Sequence, residues 1–68
     1  MKYNPTRKQE ILDYIKTYST GRGFPPTIKE IAAALGVGTS TVSHYLDALE
    51  TEGRIERRFN AARAIKVL

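Results

Sequence analysis

Residues 36–55 read GVGTSTVSHYLDALETEGRI, and the fold turns on how this stretch divides. Val42, Tyr45, Leu46 and Leu49 recur at intervals of three and four, which lines them on one face of a helix. Gly53 then supplies the residue that most readily takes the left-handed conformation ending a helix. The start is different in kind. Thr39, Ser40 and Thr41 are small and polar, and the face opposite the apolar one carries Ser40, Ser43, His44 and Asp47. Thr39 is the expected N-cap, since its hydroxyl can accept from the first-turn N–H groups. The spacing predicts a helix over 39–52.

Working back, Gly36-Val37-Gly38 reads as a three-residue turn. Ahead of it Ile28, Ile31, Ala32 and Leu35 fall at i, i+3, i+4 and i+7, an amphipathic helix over 27–35. Thr27 and Glu30 form a capping-box pattern at its start, and Pro25-Pro26 forces an extended approach. Ala32, Ala33 and Ala34 are small enough to let another helix approach closely. A first helix over 6–20 is expected from Ile11, Leu12, Ile15 and Tyr18, with a capping box from Thr6 and Gln9 and a stop at Gly21-Arg22-Gly23.

Working forward, Arg54–Arg58 and Arg63–Val67 read as two short strands around Phe59-Asn60-Ala61-Ala62, a hairpin over 54–67. Ile55 with Ile65 and Val67 can face the core while charged neighbours face water, and Phe59 reads as an anchor. The fold expected is mainly α with a small β-hairpin: a three-helix winged helix-turn-helix filling residues 1–68 as one domain.

Charge points to a partner. The net charge is +4. Residues 1–53 are balanced, whereas 54–68 carry Arg54, Arg57, Arg58, Arg63 and Lys66 against Glu56 alone. A basic segment beside a neutral body suits a polyanion; the plain alternative is a solubilised edge strand. The start of the third helix fits the first reading. A helix entering the major groove goes in by its N-terminal turn, which must be slim, polar and without carboxylates. Thr39, Ser40, Thr41, Ser43 and His44 are such a set, although the same threonines and serine would cap a helix in any protein. Arg57, Arg58, Asn60 and Arg63 read as a wing on the phosphate backbone, giving affinity and salt dependence. Arg22, Thr27 and Lys29 are further candidates for a flanking phosphate.

Catalytic readings find no support. The chain has one histidine and no cysteine, and it lacks a zinc-protease, nucleophile-elbow or phosphate-loop motif. No enzyme activity, cofactor, metal or membrane partner is expected. The partner expected is double-stranded DNA, with a homodimer on DNA and a further domain or protein partner left open. The alternative function is a protein-interaction or RNA-binding module that uses the basic hairpin.

The segment TRKQEILDYIKTYSTGRGFPPTIKEIAAALGV, residues 6–37, is similar to the amino-terminal DNA-binding domain of the LexA repressor family, most specifically in PPT-x-x-EI. The ending LETEGRIERRFNAARAIKVL, residues 49–68, resembles the family's G-x-I-x-R and R-A-I-x-L/V close. The resemblance implies a bacterial or phage repressor, located in the cytoplasm, that reads operator DNA with the third helix. By position, the base-contacting turn falls on Ser40, Thr41, Ser43 and His44 and the wing on Arg57–Arg63. The sequence departs from the family twice. Between Gly36 and Leu46 it is one residue short, with the LGVxxSTVSxxLxxLExxG rhythm of MarR-like and ArsR-like winged helices. The 68 residues do not include the family's self-cleaving peptidase domain, so the expectation is either a free-standing small regulator or a domain cut from a longer protein.

Overall fold

The computed structural model describes residues 5–57 and 65–68. Three helices, α1 (Pro5–Arg22), α2 (Ile28–Leu35) and α3 (Thr39–Thr51), precede two strands, β1 (Ile55–Arg57) and β2 (Ile65–Val67). The strands pair antiparallel, with Ile55 opposite Val67, Glu56 opposite Lys66 and Arg57 opposite Ile65. This is the mainly helical winged arrangement expected from the sequence.

One core holds the elements together. Ile11, Leu12 and Ile15 of α1 meet Ile31 and Ala32 of α2 and Val42, Tyr45, Leu46 and Leu49 of α3, and Ile55 and Ile65 close it from the hairpin. Tyr14, Ile28, Leu35, Val37 and Val67 pack around it, partly buried. The hairpin rests on both α3 and α1. Among the described residues no polar or charged residue is buried, so the core's stability comes from apolar area removed from water.

Two short helices are fixed by their ends. At the start of α2, Glu30 N–H donates to Thr27 Oγ1 at 3.1 Å, while Thr27 N–H donates to Glu30 Oε1 at 2.8 Å. This is the capping box read from the sequence. At its end Gly36 takes φ 67°, ψ 34°, and Val37 N–H reaches back to the Ala32 carbonyl at 3.0 Å. The end of α3 is a Schellman motif: Gly53, at φ 74°, donates to Glu50 O at 3.0 Å and Arg54 donates to Leu49 O at 2.9 Å.

Several expectations are corrected. α1 starts at Pro5 and continues through Gly21 to Arg22, so Thr6 lies inside the first turn and the left-handed stop falls on Gly23. The Gln9 carboxamide donates to Asp13 at 2.9 Å and accepts from Arg54 at 3.3 Å instead of reaching back to a cap. Of the three alanines in α2 only Ala32 is buried, while Ala33 and Ala34 are exposed. They lie past the apolar stripe, where a helix turns its residues to solvent. Tyr18 is half-buried, with its phenol donating to Glu30 Oε2 at 2.9 Å; a buried hydroxyl needs such a partner. The expected anchor Phe59 lies outside the described residues.

Candidate nucleic-acid interface

The site is built on α3. Its apolar face is entirely closed: Val42, Leu46 and Leu49 have no exposed surface and Tyr45 is 4% exposed. Locking that face fixes the rotation of the helix, and therefore which side chains it presents. Thr39, Ser40, His44 and Asp47 are exposed, and Thr41 and Ser43 are half-buried along the edge. The structure thus brings the five expected α3 residues together on one end and one side of a single helix.

The beginning of α3 differs from the expectation. Its N-cap is Gly38 (φ −75°, ψ 156°), one residue before Thr39, and no side chain caps it. Val42 N–H donates to the Gly38 carbonyl at 3.1 Å, which closes the first turn. Thr39 is therefore the first helical residue, because the two-residue hop from Gly36 lets the extended Gly38 take the cap. The first turn holds no acidic residue. An uncapped N-terminus presents N–H groups and a partial positive charge, here beside exposed hydroxyls.

Two acids toward the end of α3, Asp47 and the C-cap Glu52, are paired with cations. Asp47 Oδ1 lies 2.5 Å from Arg57 Nη1, and Glu52 pairs with Lys8 of α1 and, at 3.9 Å, with Arg54. Arg57 thereby departs from the wing expectation. The strand pleat puts it on the same face as buried Ile55, two residues earlier, and its side chain is 15% exposed. The signal was legible in the period of two. Arg58, Asn60 and Arg63, the other expected wing residues, lie outside the described residues.

The three flanking candidates are placed differently from one another. Lys29 is exposed in the first turn of α2. Thr27 has its hydroxyl oxygen engaged by Glu30, leaving its own proton to donate. Arg22 lies with its guanidinium carbon 4.6 Å from the centre of the Tyr18 ring, the middle ring of an aromatic row in which Tyr14–Tyr18 and Tyr18–Phe24 centroids are 5.8 and 6.0 Å apart. Among the described residues no His/Cys/Asp/Glu group could hold a metal ion. No described helix is long and apolar enough to cross a membrane.

Two helices joined by a tight glycine turn, the second with an open polar start, and an antiparallel hairpin behind it define a winged helix-turn-helix, a class built to present one helix to duplex DNA. The family model of the LexA DNA binding domain matches residues 1–64. The LexA repressor of Exiguobacterium sp. is 42% identical over 69 positions, covering 100% of this chain and 34% of that protein. The LexA repressor of Halalkalibacterium halodurans is 46% identical over 63 residues, 91% of this chain and 30% of that protein. For the LexA repressor of Mycobacterium bovis the identity is 45% over 62 residues, 90% and 26%. The chain belongs to the LexA DNA-binding domain family. It spans about a third or less of the length of these relatives.

Proposed function

We propose that this chain is a sequence-specific double-stranded DNA-binding transcriptional regulator of the repressor type, which places the start of α3 in the major groove and the hairpin along the phosphate backbone. The observation that carries this is the contrast between the two faces of α3: a sealed apolar side, and an uncapped polar end of Thr39, Ser40, Thr41, Ser43 and His44. The relatives are named repressors, which supports the direction of regulation. Hydroxyls and one imidazole give single hydrogen bonds to base edges or phosphates. With no Arg, Asn or Gln in the turn, the bidentate pairings worth about 1–3 kcal/mol each are not available there. Discrimination at a single site is correspondingly modest, and pairing of two copies on DNA would raise it. DNA-bound action places the protein in the cytoplasm.

Selection from a randomised duplex pool tests the reading. Recovery of a consensus, with affinity that falls steeply between low and physiological salt, is the expected result. A specificity ratio near one, or preference for structured RNA over duplex DNA in direct competition, would move the function to a protein-docking or RNA-binding module.

A further inference from the structure

Among the described residues, one contact of the hairpin is not used by α3 as the reading helix. Arg57 ends β1 opposite Ile65, which is 7% exposed, and shares a strand face with Ile55, which is 2% exposed. From that inner face its guanidinium crosses to Asp47. Asp47 follows His44 by three residues and Ser43 by four, so it continues their face one turn further along α3. The contact therefore joins the outer side of the reading helix to the inner side of the hairpin.

Two physical points give this contact a role. Each strand is three residues long, and among the described residues each sends one buried side chain, Ile55 or Ile65, into the core; a two-stranded ribbon on so small an anchor is marginal by itself. A second point is electrostatic. A carboxylate on the outer face of α3 repels phosphates unless a cation pairs with it, and Arg57 pairs with Asp47. An arginine serving a phosphate would extend its guanidinium into solvent, whereas this side chain is mostly covered and already bound to a carboxylate.

Resting on the DNA-binding reading above, we propose that Asp47 and Arg57 are a positioning pair for DNA recognition. Together they brace the hairpin against α3, setting the offset between the base-reading turn and the backbone-contacting wing, and the guanidinium offsets the charge of Asp47, whose side chain stays 62% exposed. Neither residue touches DNA. Arg57 is thereby removed from the count of cations available to phosphates.

Asp47→Asn, Arg57→Gln and the double variant test the pair in two ways. Amide hydrogen exchange without DNA should rise about three- to fivefold across β1 and β2 in each single variant, with the double variant no worse than either, as coupled residues behave. Exchange in α1 and α2 stays as in the parent chain, which shows that the fold is retained, and Arg57→Lys recovers most of the hairpin protection. On a mixed-sequence duplex, Arg57→Gln should weaken binding more than Asp47→Asn, and the dependence of affinity on salt should keep its slope. A slope that drops by about one in Arg57→Gln would make Arg57 a phosphate contact. Tighter binding by Asp47→Asn, or unchanged exchange in the hairpin, would equally overturn the pair. If the parent chain binds no duplex, the DNA-binding reading fails, and the exchange measurement still decides the brace.

Discussion

Helices α2 and α3 sit on either side of a two-glycine turn and begin in opposite ways. α2 opens with a reciprocal box in which Thr27 and Glu30 satisfy each other's backbone donors, and Glu30 also holds the Tyr18 phenol. α3 opens on a glycine with no side chain over its N–H groups. Both helices bury their apolar faces in the same core, so packing does not explain the difference. A closed start stabilises its helix by about 1 kcal/mol, which a 68-residue chain would be expected to use twice. With glycine as the cap, α3 forgoes only a few tenths of a kcal/mol of that, at the end carrying the exposed hydroxyls. The difference teaches that α2 is a strut, finished within the protein, and that the first-turn N–H groups of α3 are left open, to a phosphate on the function proposed above.

The strongest way to break the comparison is to remove what both helices share. Leu46→Ala deletes a fully buried side chain and should cost about 2–5 kcal/mol. That is much of the total expected for a chain this size, about 3–10 kcal/mol at 0.05–0.15 kcal/mol per residue. Urea unfolding should show it, with duplex binding falling only as far as the folded fraction falls. Next in size is Gly36→Ala. At φ 67° a Cβ should cost about 1–2 kcal/mol, although nothing lies within 4 Å to clash with it; the loss is conformational and should appear as a lower urea midpoint with an unchanged slope.

Smaller effects sharpen the contrast directly. Thr27→Ala removes a working cap and should cost about 1 kcal/mol. Thr39→Ala, at a position that caps nothing, should stay within about 0.5 kcal/mol in stability while weakening duplex binding. Equal stability losses in the two would erase the distinction between strut and reading helix. The smallest change is Gly38→Ser, where the extended backbone accepts a side chain and the space is open. A few tenths of a kcal/mol of added stability is expected, together with weaker duplex binding, because the new hydroxyl occupies N–H groups otherwise offered outward.

Local patterns were the readable part of this sequence. The Thr27–Glu30 box, the apolar set of α3 and the glycine stops all depend on residues within one or two turns of each other, and spacing alone reveals them. The same logic misassigned Thr39, because Gly38 and Thr39 are both adequate caps and residue type alone does not say which of them takes the extended cap conformation. It also placed Arg57 on the outside. Charge suggested solvent, whereas the alternation from Ile55 already turned it inward, and the stronger constraint was the pleat. The ties from Glu52 to Lys8 and from Arg54 to Gln9 join residues more than forty positions apart and leave no periodic trace. The five α3 candidates could be grouped from the sequence because one helix carries them all; their contact with DNA belongs to the proposed function. The remaining wing candidates, Arg58, Asn60 and Arg63, rest on the basic hairpin pattern and on the family resemblance, and lie outside the described residues.

Titration of the isotope-labelled chain with a duplex recovered by selection, followed through backbone amide shifts, tests the open start of α3 most directly. The account predicts the largest changes at residues 39–44, smaller ones at Lys29 and the hairpin, and little at the amides of the α2 capping box. Changes concentrated on the aromatic row of Tyr14, Tyr18 and Phe24, with residues 39–44 unmoved, would contradict it.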